Sequence, residues 1–217
     1  MKKILIIVGL ILLILAGIFT PKFLPKESKQ ENNVEERNII TVNSITEKAF
    51  KEEFTTLMKE SDAVVKGKVV SIDFETFAGN AWTKITLHID DVFKGEVKKK
   101  QDIDIYYLGG YVSLNDHINF YKDSERFSNL SAKEKANTVL KEIVDGEEFI
   151  TKDEELVLCI VKTSEASPLP KGSYQRLYAS GMLKEKDNQY IQVYGEFDPK
   201  FKIDKNKLNN IKKLINE

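Results

Sequence analysis

Short segments in which apolar and polar residues alternate are the feature that most constrains the fold of this chain. Within residues 82–93, Ile85, Leu87 and Ile89 alternate with the polar residues Lys84, Thr86, His88 and Asp90. Successive side chains of a β-strand point to opposite faces, so this two-residue period predicts a strand with one buried face. The same period returns several times along the chain, which favours a β-rich fold over a helical one.

Five further segments are predicted to be strands. They cover residues 63–74, 103–107, 156–161, 174–183 and 190–194. Gly67 lies inside the first of them, and a glycine within a strand usually marks a bulge or a barrel bend. The segment 103–107 is expected to turn Asp102, Asp104 and Tyr106 toward solvent, and a Gly109-Gly110 turn follows it. The segment 156–161 is apolar on both faces, which indicates a central strand.

Three helices are predicted to accompany these strands. The first covers residues 47–60, and its apolar face consists of Ala49, Phe50, Phe54, Leu57 and Met58. The second lies in an insertion over residues 115–148, where Ser131 and Glu134 have the spacing of a capping box. Its buried stripe is expected to consist of Ala136, Val139, Leu140 and Ile143. A short third helix begins near Asp204 and closes the chain, with an apolar face of Leu208, Ile211 and Leu214.

These elements predict a mainly β fold with accessory helices, of the α+β class. Short strands separated by turn signals are typical of a small barrel or sandwich. The glycine within the first strand, and the helix inserted between the third and fourth strands, favour a small OB-like Greek-key barrel. We expect this domain to cover residues 47–217.

The N-terminus is predicted to anchor the domain to a membrane. Lys2 and Lys3 precede an uncharged run over residues 4–20, which at about 1.5 Å per residue reaches roughly 26 Å. We interpret residues 1–20 as an uncleaved signal-anchor segment and residues 21–46 as a flexible polar spacer. The positive N-terminus favours a single-pass protein with a cytoplasmic N-terminus and an extracytoplasmic domain. The alternative is a secreted protein whose signal segment is cleaved.

Charge and cysteine content exclude two classes of function. The chain has 33 basic and 34 acidic residues, and four of the lysines fall within the first 26 residues, where there is no acidic residue. The remainder therefore carries 29 basic and 34 acidic residues, a net charge of −5, which gives no electrostatic basis for nucleic-acid binding. The single cysteine, Cys159, lies in an apolar run and is predicted to be a small buried side chain rather than a reactive thiol.

Several segments resemble a group of exported Gram-positive proteins of unknown function. The resemblance rests on SDAVVKGKVVSI at 61–72, TLHIDDVFKGE at 86–96, DIYYLGGYV at 104–112, and GEEF at 146–149 leading to ELVLCIV at 155–161. It covers residues 60–195 and implies an OB-fold barrel like that of the tissue inhibitors of metalloproteases. It implies no catalytic residues. Members of this group often carry a lipoprotein cysteine, and no cysteine follows the apolar run of this chain.

Few residues are candidates for a functional site, and no catalytic residue or cofactor is predicted. One candidate ligand face consists of Asp90, Asp91, Asp102 and Asp104, because paired carboxylates bind calcium or transfer protons. A candidate contact for polyanions consists of Lys98, Lys99 and Lys100. The two histidines, His88 and His117, are too few to predict a zinc site.

Three functions remain open from the sequence alone. The first is a non-enzymatic, membrane-anchored binding module whose partner is an envelope protein, a peptide or a wall component. The second is a surface protease inhibitor or an immunity-type factor, which rests on analogy of fold. The third is a carboxylate-dependent enzyme or a metal-binding domain that uses the four aspartates.

Overall fold

The computed structural model describes residues 37–44, 53–147, 149–194 and 201–216. The part of the chain it describes is mainly β, with a few short helices. The apolar run 4–20, spacer residues 21–36 and the first turns of the helix predicted over 47–60 lie outside the described residues. Among the described residues, no helix is long and apolar enough to cross a membrane.

Eleven strands and four α-helices make up this part of the chain. The strands are β1 (Asn38–Ser44), β2 (Ala63–Phe77), β3 (Asn80–Lys94), β4 (Asp102–Leu108), β5 (Gly110–Ser113), β6 (Thr138–Val144), β7 (Glu155–Lys162), β8 (Tyr174–Arg176), β9 (Met182–Lys186), β10 (Gln189–Gln192) and β11 (Lys202–Asp204). The helices are α1 (Phe54–Glu60), α2 (Leu114–Tyr121), α3 (Ala132–Ala136) and α4 (Ile211–Asn216). Short 3-10 helices occupy Glu125–Phe127, Ala179–Gly181 and Lys205–Asn210.

Eight strands form one sheet, and five of them make a ring. The strand order is β11-β10-β9-β7-β2-β3-β4-β8, with an additional pairing between β7 and β8. β8 is parallel to β4 and antiparallel to β7, so β7, β2, β3, β4 and β8 each have two hydrogen-bonded neighbours within the ring. The predicted central position of residues 156–161 is confirmed, because β7 pairs with β2, β8 and β9.

The alternation along the strands separates two apolar layers. Ile85, Leu87 and Ile89 of β3 are fully buried in one cluster, together with Leu156 and Leu158 of β7. The opposite face of β7 and β2 packs against the helices in a second cluster. That cluster consists of Phe54, Leu57, Met58, Val64, Phe93, Val157, Cys159, Leu183, Tyr190, Leu208 and Ile211. The buried faces predicted for the first helix, at Phe54, Leu57 and Met58, and for the C-terminal helix are therefore confirmed within the described residues.

Gly67 marks a bulge, as predicted. The pairing register between β2 and β3 shifts between Lys66 and Gly67. A side-chain carbon at Gly67 would collide with the carbonyl group of His88 on the neighbouring strand. Glycine is therefore required there because the two backbones approach closely, and the bulge bends the long strand.

A second, three-stranded sheet was not predicted. Its order is β1-β6-β5, with β1 parallel to β6 and β5 antiparallel to β6. β1 occupies residues that the sequence assigns to the flexible spacer, so for residues 38–44 that prediction is wrong. The strand forms because Ile40 and Val42 pack against an apolar cluster around Leu140, a partner about 100 residues away in sequence.

The helix predicted within the insertion is shorter than expected. Ser131 and Glu134 do form a capping box, but α3 ends after Ala136. Val139, Leu140 and Ile143 lie on β6, where pairing with β1 and β5 replaces a helical stripe. The segment predicted as one strand over 174–183 is divided by the 3-10 helix Ala179–Gly181. Tyr106, predicted to face solvent, is buried because it packs beside Trp82 and Leu169.

Candidate functional site

The four candidate aspartates lie on neighbouring strands, but each contacts its own polar or basic partner. Nδ1 of His88 lies 2.6 Å from Oδ1 of Asp102, its cross-strand neighbour. The Thr86 hydroxyl donates a 2.9 Å hydrogen bond to Oδ1 of Asp104. His88 and Thr86 therefore occupy one carboxylate oxygen each along this strand pair.

The other two aspartates are paired with lysines. Nζ of Lys66 lies 3.7 Å from a carboxylate oxygen of Asp90, and Lys99 forms an ion pair with Asp91. Within the ranges that the structure describes, no group of three or more His, Cys, Asp or Glu side chains converges as a metal site would require. A catalytic or ligand-binding role for the four aspartates stays a prediction.

The three lysines form an exposed turn before β4. Lys98, Lys99 and Lys100 are all exposed, and Lys100 has a positive φ of 60°. The Lys100 N–H donates a 2.7 Å hydrogen bond to the carbonyl of Ile89, which holds the turn against β3. Lys99 is engaged by Asp91, so the positive charge of this turn is partly neutralised, and its contact with polyanions stays a prediction.

Cys159 is a buried core side chain, as predicted. It is fully buried among the residues between the sheet and the helices. Burial raises the pKa of its thiol, which keeps the thiol protonated and unreactive at neutral pH.

A buried ion pair joins the GEEF segment to β8. Arg176 and Glu147 form a bidentate pair, with Nη2 of Arg176 2.5 Å from Oε2 of Glu147, and each side chain is 5% exposed. The Arg176 guanidinium lies over the ring of Tyr107, 4.5 Å from its centroid. Burial raises the pKa of Tyr107 to about 12. Since the guanidinium and the carboxylate are hydrogen-bonded to each other inside the protein, we interpret the pair as structural.

A half-buried aromatic cluster includes Phe149, two residues after Glu147. Tyr111 contacts Phe74 edge to face, with ring centroids 4.8 Å apart, and Phe149 packs against both rings. Nζ of Lys141 lies 5.2 Å from the centroid of Phe149, in a cation–π contact. These rings mainly pack against each other, so they offer less free surface than the pair described next.

Two aromatic side chains at the end of α2 are exposed side by side. Phe120 is 54% exposed and Tyr121 is 47% exposed. Their rings contact edge to face, with centroids 5.0 Å apart and planes at 79°. We call Phe120 and Tyr121 the aromatic pair. It is the largest exposed aromatic surface formed by adjacent residues in the part of the chain that the structure describes.

The β2–β3 hairpin holds the aromatic pair in place. Its turn, Ala78-Gly79, has two positive φ angles of 49° and 72°, as a two-residue type I′ turn requires. A side-chain carbon at Gly79 would lie 2.5 Å from Cβ of Phe120, so the ring packs directly on the glycine backbone. The Tyr121 hydroxyl donates a 2.7 Å hydrogen bond to Oδ1 of Asn80.

His117 and Glu142 complete the contact between α2 and the hairpin. Nδ1 of His117 lies 3.1 Å from the carbonyl oxygen of Gly79 and 3.5 Å from a carboxylate oxygen of Glu142. The other oxygen of Glu142 accepts a 2.9 Å hydrogen bond from the N–H of Ala81. Burial raises the pKa of Glu142. These contacts fix α2 on the hairpin tip, and with it the orientation of the aromatic pair.

Sequence reasoning missed both the aromatic pair and the Arg176–Glu147 pair. The signal for α2 was present, since Leu114, Ile118 and Tyr121 recur at four- and three-residue spacing after Ser113, the N-cap residue. The signal for the ion pair was weak. Arginine is scarce in the chain, and a glutamate after a glycine turn reads equally well as a surface residue.

Comparison with models of known protein families gives no match, and a search of curated proteins finds no significantly similar sequence.

Proposed function

We propose that this chain is a non-enzymatic binding module, anchored to the outer side of the cell membrane by residues 4–20, which holds an envelope protein, a peptide or a wall component. Its proposed contact surface is the aromatic pair, Phe120 and Tyr121. The observation that supports this function is that two adjacent, half-exposed aromatic rings are held rigidly by a hairpin turn.

The rigidity of the aromatic pair favours recognition. Exposed aromatic side chains supply a large contact area with few rotatable bonds, and they are enriched at the centres of protein interfaces. Phe120 rests on Gly79 and Tyr121 is hydrogen-bonded to Asn80, so both rings are already ordered before a ligand binds. Binding then loses less conformational entropy than it would with freely rotating side chains.

We also propose that the ring of β7, β2, β3, β4 and β8 is an OB-like Greek-key barrel, as the resemblance implies. The strand connections support this proposal. β2, β3 and β4 follow one another as antiparallel neighbours, β7 returns beside β2, and β8 runs parallel to β4. In this arrangement the aromatic pair lies at the turn between the first two strands, where loops of an OB-fold commonly contact ligands.

The test is capture of the partner from living cells. The full-length chain is crosslinked in its own membrane, purified, and the attached molecules are identified by mass spectrometry. We expect the double variant Phe120→Ala/Tyr121→Ala to lose most of the captured partner. The matched control is Val70→Ala, because Val70 is an apolar side chain 42% exposed on β2. Equal capture by all three chains would contradict the role of the aromatic pair.

The same experiment separates the other two functions. A single protease captured in a one-to-one complex would favour the inhibitor. The carboxylate alternative is tested by Asp102→Asn/Asp104→Asn, which we expect to leave partner capture unchanged because these carboxylates already bind His88 and Thr86. If only that variant lost partner capture, the binding site would include the aspartates of β3 and β4 and not the aromatic pair.

A further inference from the structure

Among the described residues, the outer edge of β1 carries backbone groups without a partner. The Asn38 N–H donates to the carbonyl of Asn137, and the Ser44 carbonyl accepts from the N–H of Asp145, so both residues point toward β6. In a parallel pair both backbone groups of one residue point the same way, and the direction alternates along the strand. Ile39, Thr41 and Asn43 therefore point their N–H and C=O groups away from β6, and no described strand pairs with them.

This edge lacks the features that protect edge strands from pairing. β1 is seven residues long, contains no proline and has no charged residue, although 31% of the whole chain is charged. Its Ile39 side chain is 46% exposed. The edge strand of the larger sheet differs, because β11 has three residues and two of them are Lys202 and Asp204. Short, charged edges resist strand addition, whereas long uncharged edges favour it.

We infer that β1 pairs with β1 of a second copy of this chain, antiparallel and centred on Thr41. The three-stranded sheets of the two copies then join into one continuous six-stranded sheet, and a two-fold axis relates the copies. Thr41 faces Thr41, Ile39 faces Asn43, and Ile40 faces Val42. The outward groups of Ile39, Thr41 and Asn43 form about six hydrogen bonds between the copies.

Self-complementarity favours a second copy over an unrelated peptide. Every opposed pair in this register is uncharged, so no like charges meet and no charge is left unpaired. Ile40 and Val42, whose side chains share the face turned toward the apolar cluster, continue that face across the junction. A strand from another protein would need an equally uncharged sequence to pair here. A second copy of β1 has that sequence already.

Cysteine trapping in the full-length chain tests this register. In the proposed pair, the two residues at position 41 are about 5.5 Å apart at Cα, within the range of a disulfide. The two residues at position 43 are separated by about 14 Å along the strand, which is too far for a disulfide. With copper phenanthroline as oxidant, we expect Thr41→Cys to form disulfide dimers at least about tenfold faster than Asn43→Cys. The wild-type chain is the control for Cys159, which is buried.

A mixed experiment keeps the test valid if Thr41→Cys folds poorly. Ile39 and Asn43 face each other across the proposed junction, so a mixture of Ile39→Cys and Asn43→Cys chains should form mixed disulfides. Each variant alone should form few. Equal crosslinking in all combinations, or crosslinking in none, would overturn the pairing with a second copy. A further outcome would also overturn the pairing with a second copy. In that outcome no cysteine variant forms dimers, and the chain captures a different protein that Thr41→Pro no longer captures.

Discussion

At the scale of single residues, the Arg176–Glu147 pair is the most deeply buried charged contact among the described residues. Its two charges have left water, and the bidentate geometry compensates for the lost hydration only while both partners remain. The guanidinium also lies over Tyr107, which ties β8 to the end of β4. We therefore interpret the pair as fixing how the GEEF segment meets β8, rather than as a large net gain in stability.

Removing one member of this pair should destabilise the protein strongly. We expect Glu147→Ala to lower the free energy of unfolding by about 3–5 kcal/mol, because a buried guanidinium is left without its carboxylate. Urea unfolding followed by the fluorescence of Trp82, the single tryptophan, measures the change.

The control for Glu147→Ala is an exposed ion pair. Lys68 and Asp153 lie 2.9 Å apart with both side chains half-exposed or more. Asp153→Asn should change the free energy of unfolding far less than Glu147→Ala does, because water and salt screen an exposed ion pair. Replacing the buried pair as a whole, with Arg176→Met/Glu147→Leu, should be milder than Glu147→Ala; a larger loss in this double variant would contradict the interpretation.

Glu142 should give the protein a pH-dependent term of predictable sign. Burial raises the folded-state pKa of Glu142 above its ordinary value of 4.5, so the folded protein favours the neutral carboxyl. Its contribution to stability is complete below pH 4.5 and is lost as the pH rises through the raised folded-state pKa. We therefore expect Glu142→Gln to become more stable, relative to the wild type, between pH 4.5 and pH 7.

Unfolding curves of the two proteins across this pH range measure the effect. The difference between them isolates Glu142 from the other carboxyl groups, which titrate in both proteins. A difference that is constant with pH, or that favours the wild type as the pH rises, would contradict the assignment.

At the scale of elements, the β2–β3 hairpin organises the molecule. Its two strands of 15 residues each contribute to the ring at one end and support α2 at the other. The turn at Ala78-Gly79 therefore reverses the chain and also contacts the aromatic pair. A change in the turn should be transmitted to the orientation of both rings.

Gly79→Ala tests this dependence. Gly79 has a φ of 72° and touches Phe120, whereas Gly146 has a φ of 69° with no atom within 4 Å of an added side-chain carbon. Gly146→Ala should lower the free energy of unfolding by about 1–2 kcal/mol through backbone strain alone. Gly79→Ala should lower it further and reduce partner capture. Equal effects of the two substitutions would show that the contact with Phe120 contributes nothing.

Local patterns predicted the elements whose buried faces depend on their own periodicity. β2, β3, β4 and β7 and the buried faces of α1 and the C-terminal helix follow from such patterns. The stretch after Ala136 did not, because Val139 and Leu140 fit a helical stripe and a strand equally well. Pairing with β1 decides between the two, and a contact across about 100 residues is not visible in local sequence.

The candidate site was less predictable than the fold for a related reason. Phe120 and Tyr121 become a defined surface only when the hairpin tip, about 40 residues earlier, packs beneath them. The sequence alone identified the four aspartates as possible ligands. Their lysine, histidine and threonine partners could be assigned only once the strand register was known.

At the scale of the whole molecule, the first and the last helix of the described chain meet on one face of the larger sheet. α1 lies near the start of the described chain and the C-terminal helix near its end, and both pack on the outer face of β2 and β7. The rings of Phe54 and Phe201, one from each end, are 5.2 Å apart at their centroids. The closing helix is therefore part of the core rather than an appendage.

The closing helix should contribute measurably to stability. We expect Ile211→Ala to lower the free energy of unfolding by about 2–3 kcal/mol, because Ile211 is fully buried against α1 and the sheet. The neighbouring substitution Lys212→Ala, on an exposed residue, should change it by less than about 0.5 kcal/mol. Chemical denaturation of both variants measures the difference; equal stabilities would mean that the helix is not docked in solution.

The parallel pairing of β1 with β6 also fixes an order of events during synthesis. Asn38 pairs with Thr138, so the only described partner of β1 is made 100 residues later. At about 5–20 residues per second, the strand waits roughly 5–20 seconds for that partner. A seven-residue uncharged strand is thus left without its β6 partner while the intervening residues are made.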